Sequence, residues 1–155
     1  MRPDEQEDDV LLKEEQRSSL SSCKVCPGTE VTFVNQQTSV AVSDMDQVTD
    51  FYEGKLGFAA GEDQPDDSRV YACGGGTSLH IHVSPVHAGK ATSTVATWYV
   101  ADLEQVVDEL IANGVTFERY EESSLKSDDK GIHTLDDGRV TWFKDPDGNT
   151  FALEE

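Results

Sequence analysis

The chain has 155 residues, with 12 lysines and arginines against 31 aspartates and glutamates, so its formal net charge is -19. A surface this acidic repels phosphate backbones and argues against a nucleic-acid partner. No apolar run approaches the roughly 20 residues of a membrane span, and the acidic start MRPDEQEDD has the wrong charge for a signal peptide. We expect a soluble, cytoplasmic protein with no membrane partner.

Residues 1 to 34 are rich in Asp, Glu, Gln and Ser and poor in aromatic residues, which predicts a disordered acidic tail before one domain at residues 35 to 155. Cys23 and Cys26 form a CxxC pair in this tail, and Cys73 follows in the domain. The pair resembles half of a zinc ribbon or a redox motif, but no second CxxC or spaced His pair completes it. An incidental pair is the simpler interpretation, and the odd count argues against a disulfide framework.

The domain contains one sequence unit twice. Residues 38 to 58 and 94 to 115 share the pattern V-x-D-x-x-Q-V-x-D, and such a repeat indicates two copies of one structural unit. Each copy starts with strand-like alternation and changes to helical spacing after Asp44 or Asp102, which are suited to cap a helix. Because each helix is followed by room for three short strands, the sequence predicts an α+β fold.

The fold predicted in this way consists of two β-α-β-β-β modules, at about residues 37 to 84 and 93 to 155. One face of each helix is apolar, and these faces should pack in the core. The residues concerned are Val48, Phe51 and Tyr52 in the first helix, and Leu103, Val106, Val107, Leu110 and Ile111 in the second. Asn113-Gly114 predicts the end of the second helix.

Three strands are predicted after the first helix, at residues 57 to 59, 70 to 73 and 77 to 83. The last of them alternates cleanly, so its two faces can be assigned. Leu79, Ile81 and Val83 should face the helix, and Ser78, His80 and His82 the opposite side.

In the second module, Trp98 should lie in the core, while Val95, Thr97 and Tyr99 should face the opposite side of the sheet. A strand is predicted at residues 117 to 120, then a long polar loop to about Gly138. A strand at residues 139 to 144 leads into the tight turn Asp145-Pro146-Asp147-Gly148 and a last strand at residues 149 to 153. His87 and His133 are predicted to be loop residues on the surface.

The paired modules, the V-x-D-x-x-x-V-x-x-F-Y start and the W-F-x-D-P-D-G-N ending resemble the vicinal oxygen chelate (VOC) superfamily, the group of glyoxalase I, bleomycin-resistance proteins and extradiol dioxygenases. The resemblance covers about residues 36 to 155. It implies that eight strands curl into a half-barrel cup. It also implies a homodimer, since the family commonly completes its cups by pairing modules or chains.

Metal-dependent members of this family place one ligand on the first and the fourth strand of each module. Carried over to this chain, the resemblance implies Gln37, His80, Val95 and Ala152 at those positions. Val95 and Ala152 have no donor atom, whereas a catalytic metal site needs about three protein ligands. A displaced site of Gln37, His80, His82 and Glu154 is the alternative.

Two functions are compatible with these residues at the metal-ligand positions. The first is a small-molecule binding protein without a metal cofactor, with ligand-binding side chains Gln37, His80, His82, Thr97 and Tyr99 in the cup. The second is a metal-dependent lyase, isomerase or dioxygenase that uses a divalent ion. Packing without a binding role is the alternative interpretation of His80 and His82.

Overall fold

A computed structural model describes residues 37–121 and 126–155 of the chain, and residues 37–155 form one compact unit. The predicted tail and its CxxC pair lie outside the described residues. Among the residues described, no helix is both long enough and apolar enough to cross a membrane.

The first module follows the predicted order. Its strands are β1 (Gln37–Val42), β2 (Glu62–Asp63), β3 (Arg69–Ala72) and β4 (Ser78–Val83). Helix α1 (Met45–Val48) follows β1 and continues as a wider π-helix (Thr49–Lys55). Asp44 caps α1, as predicted, by accepting a 2.8 Å hydrogen bond from the backbone N–H of Asp46. The strand order is β1-β4-β3-β2, with β1 and β4 parallel.

The second module repeats this topology. Its elements are β5 (Ala96–Tyr99), α2 (Leu103–Ala112), β6 (His133–Leu135), β7 (Gly138–Lys144) and β8 (Thr150–Glu154). The strand order is β5-β8-β7-β6, with β5 and β8 parallel. Asp102 caps α2 through the backbone N–H of Gln105 at 3.0 Å. The prediction of two β-α-β-β-β modules is confirmed, and each four-stranded sheet forms a wall of a half-barrel cup.

The predicted strand at residues 57 to 59 is wrong. Gly57 has φ +76°, and the backbone N–H of Phe58 donates to the carbonyl of Tyr52, so these residues end the helix instead of extending a sheet. The ring of Phe58 then packs 5.7 Å from that of Tyr71. The strand begins only at Glu62.

The second strand of the second module also departs from the prediction. Phe117 makes a single bridge to Phe143 on β7, and β6 lies inside the segment predicted as a loop. Two separate segments therefore pair along one edge of β7. Because β6 places His133 against Val140, His133 is buried at 1% exposure, and its predicted surface position is wrong.

The helices bury most of the predicted faces. The buried or partly buried members are Val48, Phe51, Tyr52, Leu103, Val106, Val107 and Leu110. Trp98 packs against this core as predicted, with its ring 5.0 Å from that of Phe151. Ile111 and Val83 are 44% and 48% exposed, contrary to the prediction. Both lie within the last two residues of their elements, Ile111 in α2 and Val83 in β4.

One tyrosine joins the two modules. The ring of Tyr52 lies 6.0 Å from Tyr71 on β3 and 6.0 Å from Phe151 on β8. If the two sheets were joined edge to edge through β1 and β5, four strand spacings would separate β3 from β8. That distance is about 19 Å, which is too far for one ring to contact both strands. The helix-facing sides of both sheets therefore meet at Tyr52.

Candidate functional site

The first wall is the side of the first sheet that faces away from helix α1. Its parallel register pairs Gln37 with Ser78, Ser39 with His80 and Ala41 with His82, so these six residues share one face. Three predicted ligand-binding residues, Gln37, His80 and His82, lie on it. The amide of Gln37 donates to the hydroxyl of Ser78 at 3.1 Å.

His80 is held by hydroxyl groups at both ring nitrogens. Its Nδ1 lies 3.2 Å from the hydroxyl of Ser39, and its Nε2 lies 2.8 Å from the hydroxyl of Ser68. Ser68 is buried at 2% exposure and donates its own hydroxyl proton to Asp66 over 2.5 Å. The hydrogen bonds from Ser68 lower the pKa of the exposed Asp66 carboxyl, which is therefore ionised at neutral pH.

His82 lies beside His80 on the same face, with the two rings nearly parallel and 5.7 Å apart. Its Nδ1 is buried and has no hydrogen-bond partner among the described residues. One histidine of the pair is thus fixed by hydrogen bonds, whereas the other keeps an unused polar atom.

The second wall is the corresponding side of the second sheet. Between β5 and β8 the register pairs Thr97 with Ala152 and Tyr99 with Glu154. Between β8 and β7 it pairs Ala152 with Trp142 and Glu154 with Val140, so these six residues share one face. The predicted ligand-binding residues Thr97 and Tyr99 both lie there, and Tyr99 is 78% exposed. The five predicted residues thus divide between the two walls. Because the two sheets share the core at Tyr52 on their other sides, each wall faces away from that core.

A cavity of about 450 Å³ opens on the second wall. One side is the segment that links the modules, and the other consists of residues of β7 and β8 together with Tyr120 and the turn residue Gly148. Its lining comprises Gly89, Ala91, Thr92, Ser93, Thr94, Tyr120, Trp142, Lys144, Gly148 and Thr150. None of the five predicted ligand-binding residues lines it.

Trp142 is the centre of this cavity's aromatic side. Its ring packs edge-to-face against Tyr120 at 5.8 Å and against His133 at 5.1 Å. Its indole N–H donates to the hydroxyl of Thr94 at 3.2 Å. These contacts fix the indole while leaving it in the lining of the cavity. A fixed aromatic ring can bind a ligand ring with little loss of side-chain entropy.

Hydroxyl groups and one ammonium supply the polar side of the cavity. Lys144 pairs with Glu118 at 3.4 Å, and its side chain is 47% exposed. Thr92, Ser93 and Thr150 contribute hydroxyls. The lining is therefore mostly polar, with Trp142 and Tyr120 as its aromatic members.

The linker is held in place by Gly89. Its backbone N–H donates to the side-chain carbonyl of Asn149 at 3.1 Å, and its φ is +64°. A Cβ atom at this position would lie 1.9 Å from the backbone oxygen of Asp147. Only glycine permits this approach of the linker to the β7–β8 turn.

The residues at the family's metal positions do not fit a metal centre. Both nitrogens of His80 are engaged by serine hydroxyls, and Gln37 is its only donor-bearing companion, since Val95 and Ala152 are aliphatic. In residues 37–121 and 126–155 no three His, Cys, Asp or Glu side chains converge as metal ligands. Within one chain, Glu154, which the displaced site needs, lies on the second wall, whereas His80 and His82 lie on the first.

Sequence reasoning missed Trp142 and Tyr120 as site residues. The alternation of β7 carries a signal, because Trp142 must face opposite Phe143, which lies in the core at 1% exposure. The contribution of the linker could not be foreseen, since it depends on a contact between Gly89 and Asn149, 60 residues apart.

The model of the Glyoxalase/Bleomycin resistance protein/Dioxygenase superfamily matches residues 35–153. No curated protein gives a significant sequence match.

Solved structures share the fold. A glyoxalase/bleomycin resistance protein from Streptomyces sp. CB03234 is 25% identical, with a TM-score of 0.59 over 79% of this chain and 100% of that one. TnmS3, an antibiotic binding protein from Streptomyces sp. CB03234, is 24% identical, with a TM-score of 0.60 over 81% and 97%. The fosfomycin resistance protein FosX from Listeria monocytogenes is 13% identical, with a TM-score of 0.57 over 80% and 93%.

Proposed function

Because the chain belongs to the Glyoxalase/Bleomycin resistance protein/Dioxygenase superfamily, we propose that it is a small-molecule binding protein that holds an aromatic ligand against Trp142 without a metal ion. The observation that carries the proposal is the cavity of about 450 Å³ on the second wall. Its volume lies within the range of about 300 to 1,000 Å³ typical of ligand sites. TnmS3, an antibiotic binding protein, has the same fold.

The ligand's chemistry follows from the lining. Trp142 and Tyr120 favour a planar aromatic group, and the hydroxyls of Thr92, Ser93 and Thr150 favour oxygen or nitrogen acceptors and donors around it. Lys144 can meet one local negative charge. A highly anionic ligand is disfavoured, because the chain carries a net charge of -19.

Metal-free binding is supported by the donor set. Lewis-acid chemistry of the family kind needs an ion that polarises substrate oxygens, and Val95 and Ala152 offer it no ligand. Stacking and hydrogen bonding of a ligand in a preformed cavity need no metal ion.

A homodimer is part of the proposal. Gln37, His80 and His82 occupy the first wall and Thr97 and Tyr99 the second, and the walls of one chain face away from their common core. Pairing the first wall of one chain with the second wall of another would bring all five predicted residues to one cup.

The test is a thermal-shift screen of small natural products that contain a planar aromatic group, on the wild type and on Trp142→Ala. A ligand at 100 times its Kd stabilises the folded state by about 2.7 kcal/mol, or roughly 5 to 10 °C for a domain of this size. Ile111→Ala, on the exposed side of α2, is the matched control. Ligands that stabilise wild type and control but not Trp142→Ala support the proposal, and equal shifts in all three proteins would refute it.

A further inference from the structure

The hydrogen bonds around His80 form a directed chain. Asp66 accepts the hydroxyl proton of Ser68, so the oxygen of Ser68 is free to accept from His80 Nε2–H. A neutral imidazole with a proton on Nε2 has a lone pair on Nδ1. That lone pair faces the hydroxyl of Ser39 at 3.2 Å. The chain therefore runs from Ser39 through His80 and Ser68 to Asp66.

This arrangement has the parts of an activated nucleophile. A hydroxyl lies within hydrogen-bond reach of a base, and the base is oriented by a third group that ends in a carboxylate. Ser68, buried at 2% exposure, is the intermediate that transmits the orientation. Ser39 is exposed on the first wall and so is accessible to a reagent.

We propose that Ser39 is a nucleophile activated by His80 and that it accepts the acyl group of activated carboxylic esters. Ser39 and His80 lie on the first wall of a chain, whereas Trp142, which carries the proposed ligand binding, lies on the second wall. Ser68 and Asp66 are positioning residues, since they act only through His80.

The proposed reaction is an acyl transfer in two stages. A bond forms between Ser39 Oγ and the ester carbonyl carbon as the Oγ proton moves to His80 Nδ1. The bond from that carbon to the leaving oxygen then breaks, and His80 returns the proton to the departing alcohol. Water next attacks the acyl-serine carbonyl carbon while His80 Nδ1 takes its proton. The bond from that carbon to Ser39 Oγ then breaks, and His80 returns the proton to Ser39 Oγ, which releases the acid and restores the hydroxyl.

The chain contains its own control pair. Ser84 Oγ lies 2.9 Å from His87 Nδ1, a contact of the same chemistry near the protein surface. In the described part of the chain, the other ring nitrogen of His87 has no oriented hydroxyl or carboxylate partner. If the serine–histidine contact alone sufficed, Ser84 should react as Ser39 does.

Labelling with diisopropyl fluorophosphate, followed by mass spectrometry of peptides, tests the nucleophile. Its P–F bond breaks as the serine oxygen bonds to phosphorus and fluoride leaves. We expect an adduct on Ser39 and not on Ser84, formed about 100-fold more slowly in His80→Gln, since general-base assistance contributes about 10² to 10⁴-fold. An unlabelled Ser39, or labelling of His80→Gln at the wild-type rate, would overturn the proposal.

Hydrolysis of p-nitrophenyl acetate tests the activity. The variant is Ser39→Ala, which should fold normally because Ser39 is exposed. Ser39→Ala should lower p-nitrophenolate release about 100-fold, whereas Ser84→Ala should match the wild type. If Ser39→Ala hydrolyses the ester as fast as the wild type, the activity belongs elsewhere and the assignment is wrong. Circular dichroism of His80→Gln shows whether its loss of labelling reflects chemistry or unfolding.

Discussion

The hydroxyl of Tyr52 donates a 2.8 Å hydrogen bond to the buried carboxylate of Asp145, 93 residues later in the chain. Asp145 also accepts from the backbone N–H groups of Asp147 and Asn149 and from the side-chain amide of Asn149. One carboxylate thus fixes the β7–β8 turn and ties it to the first helix. Since Asn149 also holds Gly89, this contact supports the linker side of the cavity.

Removing the Tyr52 hydroxyl should destabilise the fold. In Tyr52→Phe the buried Asp145 loses a donor, and we expect the free energy of unfolding in urea to fall by about 1 to 3 kcal/mol. Tyr71→Phe is the control, because its hydroxyl donates at 2.9 Å to the partly exposed Glu53, where water can replace it. An equal or smaller loss in Tyr52→Phe would contradict the role of the Asp145 contact.

The same tyrosine should make stability depend on alkaline pH. Burial, and then the charge of Asp145, raise the pKa of Tyr52 far above its ordinary value of 10.0. Tyr52 keeps its proton in the folded state, whereas the unfolded chain releases it above about pH 10. The stabilisation is present below that pH and declines above it by up to about 1.4 kcal/mol per pH unit. Between pH 9 and 11, the free energy of unfolding should fall less steeply with pH in Tyr52→Phe than in the wild type.

Gly89→Ala should both destabilise the protein and weaken ligand binding. The new Cβ would lie 1.9 Å from the backbone oxygen of Asp147, so the linker must leave the β7–β8 turn. Gly74→Ala is the matched control, because Gly74 has a similar positive φ of +78° with nothing within 4 Å of the added atom. In both variants, an alanine in the left-handed backbone region should lower the free energy of unfolding by about 1 to 2 kcal/mol. In Gly89→Ala the clash should lower it by roughly 1 to 3 kcal/mol more.

The mass of the protein in solution tests the proposed dimer directly. Sedimentation equilibrium at micromolar concentration should give twice the chain mass of 17.0 kDa. Tyr99→Lys, which changes a residue 78% exposed on the second wall, should shift the protein toward one chain, whereas Ile111→Lys should not. A single-chain mass for the wild type would contradict the pairing of walls.

The repeat predicted the modules because its signals are local. Asp44 and Asp102 cap their helices through residues two and three positions away, and a period change marks each strand–helix boundary. The alternation of β4 likewise placed His80 and His82 on the face opposite Leu79 and was right about that face.

The errors arose where distant contacts decide the structure. Neither Phe117 nor His133 belongs to a long alternating run, and it is β7 that pairs with each in turn. The cavity likewise depends on the docking of the linker at Asn149. Sequence periodicity reports which face of a strand is buried, but it does not report which distant segment covers that face.

The most direct test of metal-free binding is the affinity of a ligand from the thermal-shift screen, measured by isothermal titration on the dialysed protein with and without EDTA. The same titration on protein reconstituted with Ni²⁺, Zn²⁺, Fe²⁺ or Mn²⁺ completes the comparison, with His80→Ala beside the wild type. We expect one Kd under all conditions and in both proteins, and no stoichiometric metal after dialysis. Loss of ligand binding in the presence of EDTA, together with loss of metal uptake in His80→Ala, would contradict the claim that the ligand binds without a metal ion.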